Sequence, residues 1–284
     1  MKTFIVNPIS GTQKKNKIIK LINQHFPNNE IVYTQYKGHA TLLAQDALKK
    51  KREYVVAIGG DGTISECANA IIGTKTKLGI IPAGSGNGFA LHFGISTKTK
   101  RAIEQLKTAK VTKVDSCSVN NKSFINVSGI GFDAHIAYLF SNLKKRGFLN
   151  YIKLTLKELR YKPQKYIIEH QNKKKEVIAF AIVFANASQY GNGAQISPKS
   201  ITNDGLIDFV IIKKFSNWKI PFFINTVLQG KTHLSKYVEI IRAKEIKIQS
   251  RNPLVHLDGE PKYLSSPIHV KINKKHLNLL IPNE

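Results

Sequence analysis

The residues whose types and spacing are best suited to chemistry lie in two short glycine-containing stretches. Gly59-Gly60-Asp61-Gly62-Thr63 follows the apolar run Tyr54-Val55-Val56-Ala57-Ile58, and Pro82-Ala83-Gly84-Ser85-Gly86-Asn87-Gly88 follows Leu78 to Ile81. Glycines reach backbone torsions closed to other residues, let the main chain approach a ligand closely, and allow successive N–H groups to form a nest for phosphate oxygens. Two such loops at the carboxyl ends of parallel strands form the kind of crevice in which open α/β sheets bind nucleotides. Either loop alone is also satisfied by a tight strand-to-helix connection. A second acidic element, Asp258-Gly259-Glu260, places two carboxylates around a residue that can bend the chain. A carboxylate near an alcohol can take its proton during group transfer, although a strand-end turn would use the same residues.

The elements that must position these loops are legible on either side. Thr3-Phe4-Ile5-Val6, Ile31-Val32-Tyr33-Thr34, Tyr54 to Ile58 and Leu78 to Ile81 read as buried strands. Between them, Ile18, Ile19, Leu21 and Ile22, then Leu42, Leu43, Ala47 and Leu48, then Ile64, Ala68, Ile71 and Ile72 recur at helical spacing. Ser10 is a cap candidate for the first helix, and Thr63 or Asp61 for the third, whose positive end would point back at the glycines. Strand and helix alternating in this way predict a doubly wound parallel α/β domain over residues 1–114. After Lys113 the pattern changes to Thr112 to Asn120, Lys122 to Phe132, two helical stretches at Asp133 to Lys145 and Tyr151 to Arg160, and then many short strands. Residues 115–275 therefore read as a mainly antiparallel sandwich or barrel.

Composition narrows the function classes. The chain has 284 residues, 42% of them apolar, which suffices for two domains with real cores. Forty-four Lys and Arg against 18 Asp and Glu give a net charge of +26. The basic residues fall in small clusters, Lys14-Lys15, Lys49 to Arg52, Lys144 to Arg146 and Lys173 to Lys175, which predicts a basic folded surface attractive to anions. No stretch approaches a membrane span, and the apolar segment before Asn7-Pro8 is too brief for a signal peptide. Cys67 and Cys117 lack metal or redox spacing and read as reduced thiols, and the histidines show no zinc pairing. The expected location is cytoplasmic. No Walker A motif occurs, so a P-loop enzyme is excluded.

Six motifs resemble those of one superfamily. Gly59 to Thr63 resembles the GGDGT signature of diacylglycerol, sphingosine, ceramide and NAD kinases and phosphofructokinases, and Gly84-Ser85-Gly86-Asn87 resembles the second nucleotide loop of the lipid-kinase branch, with serine for the commoner threonine. Asn7-Pro8-Ile9-Ser10-Gly11 resembles the NPxSG opening of diacylglycerol-kinase-type domains. Asn126 to Asp133 resembles the N-x-x-GxGFDA block, Asn203 to Asp208 the NDGLLD turn, and Asp258-Gly259-Glu260 the DGE block. The chain is thereby identified as resembling a bacterial-type lipid kinase, with an NAD-kinase- or phosphofructokinase-like first domain to which the strand 276–284 returns.

The resemblance implies ATP and Mg²⁺ as cofactors, with Asn7, Thr34, Gly60, Asp61, Gly62, Thr63, Glu66, Gly84, Ser85 and Asn87 as nucleotide contacts. It implies Glu260, Asp258 and Asp61 as the catalytic acids, the first two facing the nucleotide loop across a cleft. A structural magnesium would take the Asp204 side chain with main-chain oxygens of Ile201 and Leu206, although a hairpin turn accounts for Asp204-Gly205 as well. His39 stands where the family has an acidic or polar residue and receives no role. The implied activity is transfer of the γ-phosphoryl group of ATP to a diacylglycerol- or sphingoid-like hydroxyl. A soluble-substrate kinase such as an NAD kinase and, more remotely, a nucleic-acid-binding module are the alternatives. The partners implied are a lipid substrate and the anionic inner face of a membrane, with no nucleic acid and a homodimer left open.

Overall fold

A computed structural model describes residues 1–11, 15–143, 147–158 and 160–283. Of the basic clusters, Lys14 and Lys144 to Arg146 lie outside the described residues, as does the predicted end of the Asp133 to Lys145 helix. The chain forms two compact units, one of residues Met1–Asp115 together with the chain from Lys275 onward, the other Ser116–Lys274.

The first unit alternates β1 (Lys2–Val6), α1 (Lys15–His25), β2 (Asn29–Tyr33), α2 (His39–Lys49), β3 (Tyr54–Gly59), α3 (Asp61–Ile71) and β4 (Lys77–Pro82). A short α4 (Gly88–His92), α5 (Thr99–Thr108) and the start of β5 (Lys110–Val119) follow. β1 lies between β2 and β3, and β3 pairs β4, all in parallel. Burial on both faces explains the unbroken apolar sequences: Phe4, Ile5, Val6, Val55, Val56, Ala57 and Ile58 are all fully buried. Helices α1 and α3 bury Ile18 and Ile22, then Ile64, Cys67, Ala68 and Ile71, at the expected helical spacing, whereas α2 buries Ala40, Ala44 and Ala47 and leaves the expected Leu42 51% exposed, with Leu43 and Leu48 only partly buried.

The second unit carries β6 (Lys122–Phe124), β7 (Val127–Gly131), α6 (Phe132–Ser141), α7 (Phe148–Lys157), β8 (Gln164–His170), β9 (Lys173–Ala185) and β10 (Ile207–Lys213). It continues with α8 (Ile220–Leu228), β11 (Val238–Ala243), β12 (Glu245–Ser250), β13 (Leu254–Leu257), β14 (Glu260–Tyr263) and β15 (Ile268–Ile281). Its strands pair antiparallel in the order β14-β13-β7-β9-β8-β12-β15, with β10 and β11 branching from β9. Strand β9 contributes Ile182 and Phe184 to one apolar cluster and Phe180, Val183 and Ala185 to another, so the run Ala179-Phe180-Ala181-Ile182-Val183-Phe184-Ala185 has no water-facing alternation. β15 pairs β12 through Ile268 to Lys271; from Lys275 onward the strand belongs to the first unit, where Asn278 and Leu279 pair β4 in parallel.

Three elements differ from the sequence reading. The expected strand Lys122 to Phe132 is broken at Ile125-Asn126, whose N–H groups bond the Asp258 carboxylate at 3.1 and 2.9 Å instead of a neighbouring strand. The closing strand is one continuous element from Ile268, not two. Helix α8 was not predicted, because Ile220-Pro221-Phe222-Phe223-Ile224-Asn225-Thr226-Val227-Leu228 is apolar nearly all round and shows no clean 3.6-residue alternation.

Candidate active site

In the first unit the loops after β1, β3 and β4 are tied to one another. Asn7 donates from Nδ2 to Thr63 Oγ1 at 3.1 Å, and its N–H reaches the Ile58 carbonyl at 2.9 Å. A Cβ on Gly84 would lie 2.4 Å from Gly60 Cα, and one on Gly11 would lie 2.1 Å from the Ala83 carbonyl oxygen. These glycines are demanded by backbone-to-backbone contact. Gly62 is different: a Cβ there would meet nothing within 4 Å, and its φ is not in the left-handed region. Neither packing nor torsion requires a glycine at this exposed position in the first turn of α3. The first intrahelical bond of α3 runs from Ile64 N to Gly60 O, so the N–H of Gly62 and of Thr63 precede it, at the positive end of the helix.

Neither cap candidate caps α3, whose N-cap is Gly60 with no side-chain bond. Asp61 instead receives the N–H of Asn87 at 2.7 Å on Oδ2 and of Phe89 at 3.4 Å on Oδ1, which braces the start of α4. Asn87 adopts a left-handed φ of 57° and clamps Gly84 from both sides, accepting its N–H at 3.0 Å and donating to its carbonyl at 2.9 Å. Glu66 accepts the N–H of Gly38 at 2.9 Å and of Ala40 at 3.1 Å, holding the turn into α2. Thr34 is buried beside that turn, with its N–H on the Val6 carbonyl, while Ser85 is exposed on its loop. The Ser10 hydroxyl donates to the Asn7 carbonyl, and Lys15 Nζ reaches the Ser10 carbonyl at 2.6 Å; partial burial lowers the Lys15 pKa. Lys15, the first residue of α1, is a cation that composition recorded only as part of a basic cluster.

In the second unit Asp258 and Gly259 are the two central residues of the β13–β14 hairpin, with φ of 49° and 85°. Both positive values fit the two-residue turn that Asp-Gly favours. The Asp258 carboxylate organises the Ile125-Asn126 break described above, and Glu260 opens β14, half-buried.

Behind this hairpin lies a buried polar group that sequence reading did not assemble. His256 accepts the Gly259 N–H on Nδ1 at 3.1 Å, which leaves Nε2 to donate to Asp133 Oδ2 at 2.7 Å. Tyr190 donates to the same oxygen at 2.8 Å, and the Tyr151 hydroxyl also bonds Asp133. Burial, reinforced by the Asp133 charge, raises both tyrosine pKa values well above the usual range, so both hydroxyls remain donors. Asp133 lies in the first turn of α6, where the helix dipole favours an anion. Asp133 also explains Gly129, where a Cβ would sit 2.8 Å from its Oδ2, while Gly131 answers to its left-handed φ of +89° and to the Phe180 carbonyl, 2.5 Å from where its Cβ would be. The Asp133 position was visible in its block, whereas a lone His256 carries no sequence signal.

The predicted cation turn is occupied differently. Asp204 Oδ1 accepts the Leu206 N–H at 2.9 Å, and Oδ2 pairs with the Arg242 guanidinium, which also reaches Asp208 at 3.0 Å. A divalent cation at Asp204 would meet the Arg242 guanidinium beside it, so this donor set does not suit Mg²⁺. Among the described residues no group of three or more His, Cys, Asp or Glu is arranged to hold a metal ion.

Comparison with known proteins agrees with this geometry. Residues 2–119 match the profile of the diacylglycerol kinase catalytic domain, and residues 126–281 that of the YegS C-terminal NAD kinase beta sandwich-like domain. The chain belongs to the diacylglycerol kinase and YegS-like lipid kinase family. It is 26% identical to a diacylglycerol kinase of Bacillus subtilis (strain 168), over 99% of this chain and 96% of that protein. It is 31% identical to the "Probable lipid kinase YegS-like" of Klebsiella pneumoniae (strain 342), over 80% and 78%. The fold matches a solved diacylglycerol kinase from Bacillus anthracis str. Sterne with a TM-score of 0.79, at 23% identity, over 99% and 96% of the two chains. This kinase therefore has the two-domain architecture read from its motifs, α/β followed by β-rich.

Proposed function

We propose that this lipid kinase transfers the γ-phosphoryl group of ATP to the hydroxyl of a diacylglycerol- or sphingoid-like lipid. The observation that carries the nucleotide assignment is Gly62, a glycine that the fold does not need, on the open side of a helix N-terminus. Phosphoryl transfer depends mainly on positioning and on neutralising phosphate charge. The N–H groups of Gly62 and Thr63 supply donors, and Lys15, the first residue of α1, supplies a cation whose Nζ lies on the Ser10 carbonyl of the adjoining loop. Gly60, Gly84 and Asn87 hold the two loops in contact, Asp61 ties the second loop to the first, and Glu66 and Asn7 fix the neighbouring turns. Thr34 and Ser85 are assigned as further nucleotide contacts on these loops. Mg²⁺ would arrive with the nucleotide, held largely by its phosphates, and supply charge neutralisation; Asp61 is the carboxylate of these loops suited to it.

On the acceptor side, the role of proton acceptor is assigned to Glu260, the first residue of β14, with Asp258 beside it fixing the turn through the Ile125 and Asn126 N–H groups. The lipid oxygen bonds to the γ-phosphorus as the bond to the bridging oxygen breaks, ADP leaves, and the hydroxyl proton passes to Glu260. The test is incubation of the purified protein with labelled ATP, Mg²⁺ and fractionated lipid, with the product identified by mass. A phosphorylated lipid is expected. Phosphorylation of NAD alone would shift the reading to a soluble-substrate kinase, and no labelled product of any kind would overturn it. Glu260→Gln should lower turnover by about 10²-fold or more with ATP affinity nearly unchanged, as measured by nucleotide titration.

A further inference from the structure

Helix α8 packs one face on the core and leaves two large rings outside it. Ile220 is buried, and Phe223, Ile224 and Val227 pack on the cluster containing Phe180, Val210 and Phe215. Trp218, in the 3-10 turn Asn217–Lys219 leading into α8, is 65% exposed, and Phe222 is 66% exposed, while the polar Asn225 and Gln229 are exposed further along the helix. The two rings meet edge to face at 6.0 Å. Two large aromatic rings in contact with each other and with water, unlike scattered single apolar residues, mark an interaction site.

The charges around the patch identify the partner. Between Lys214 and Lys236 the chain carries Lys214, Lys219, Lys231 and Lys236 and no Asp or Glu. Lys219 Nζ lies 5.2 Å from the Trp218 ring centre and donates to the Tyr237 hydroxyl at 2.8 Å. Exposed aromatic rings on a segment whose only charged residues are lysines, one of them against the Trp218 ring, suit the interface of an anionic bilayer, with the rings at headgroup depth and the ammonium groups on phosphates. A second copy of this chain is a poor occupant, because the same lysines would face each other on molecules that each carry +26.

We propose that the surface formed by the Asn217–Lys219 turn and the start of α8 is a membrane-docking face, inserting Trp218 and Phe222 into an anionic phospholipid leaflet. Its purpose, bringing the enzyme to a lipid acceptor, rests on the lipid-kinase reading; its test uses no catalysis. Trp218 is the sole tryptophan, so its fluorescence reports this face alone. Titration with phosphatidylglycerol–phosphatidylcholine vesicles, without nucleotide, should shift its emission to the blue and shield it from an aqueous quencher, whereas phosphatidylcholine vesicles should do so far less. Phe222→Asp should weaken partitioning on the order of tenfold or more while circular dichroism and melting temperature stay near native. Replacing Lys231 and Lys236 with Gln should weaken binding to the anionic vesicles only. Sedimentation with vesicles while Trp218 emission stays unmoved would overturn the proposal, as would native partitioning of Phe222→Asp. A dimer that Phe222→Asp dissociates, with vesicle binding unchanged, would overturn it in favour of self-association. Activity on detergent-dispersed lipid is measured separately: its absence with docking intact counts against the kinase reading alone, and its retention in Phe222→Asp with docking lost supports the face.

Discussion

Gly62 and Gly129 are both glycines of a family-like motif, yet they answer to different demands. At Gly62 a methyl group meets open space, so Gly62→Ala should leave the fold intact or raise stability by up to roughly 0.5–1 kcal/mol, as removal of glycine from a helix does. Nucleotide affinity should fall by about tenfold or more if phosphate approaches there. Thermal melting with and without ATP measures both, and unchanged affinity would detach the loop from the nucleotide. At Gly129 the same methyl would press on Asp133 Oδ2 and on the Ile182 carbonyl at 3.1 Å, so Gly129→Ala should destabilise by about 1–3 kcal/mol in denaturant titration. Asp61 combines both kinds of demand. As a loop carboxylate it reads as a pure ligand contact whose replacement by Asn leaves melting unchanged, but its bonds to Asn87 and Phe89 predict a stability cost of about 1 kcal/mol alongside the loss of turnover.

At the scale of elements, α4 is the short helix on which the second glycine loop depends. It ends at His92, whose ring meets Phe93 edge to face at 4.8 Å, and burial there pulls the imidazole pKa down to about 4. A depressed base favours the neutral ring in the fold, so the unfolded chain binds the extra proton between its ordinary value, near 6.5, and about 4. Stability from this group is therefore fully present above pH 6.5 and declines as pH falls towards 4, by on the order of 1–2 kcal/mol after allowance for its partial exposure. Unfolding curves for the native protein and His92→Gln across that range should converge as pH falls. Parallel curves would show that His92 does not set the acid limit. The turn between β13 and β14 makes the complementary case: Asp258→Asn should cost about 1–3 kcal/mol through the Ile125 and Asn126 N–H groups, measured by denaturant titration.

Across the whole molecule, +26 on a chain of 284 residues means self-repulsion in the folded state. The exposed ion pairs, such as Lys50 with Asp46 and Lys165 with Glu176, are too solvated to offset it. Melting temperature should accordingly rise by a few degrees between low and physiological ionic strength as repulsion is screened. A salt-independent or falling melting temperature, followed by circular dichroism, would show that the lysines are locally neutralised. Among the described residues no helix is long and apolar enough to cross a membrane.

What the sequence determined by itself was local and periodic. Buried parallel strands announce themselves as apolar runs, helices as 3.6-residue stripes, and phosphate-type loops as glycines after a strand, so the α/β unit and its loops were legible in the order of residues along the chain. The β-rich unit was legible as a class, but its breaks were not, because the interruption at Ile125-Asn126 is made by a carboxylate more than 130 positions away. Tertiary structure alone decided that His256 reaches Asp133, that Arg242 pairs with Asp204, and that Trp218 and Phe222 stay in water while Phe223, Ile224 and Val227 of α8 pack on the core. Each of these depends on which side chains meet after the chain has crossed the sheet, and a distance in space between residues far apart in sequence leaves no mark on periodicity or composition.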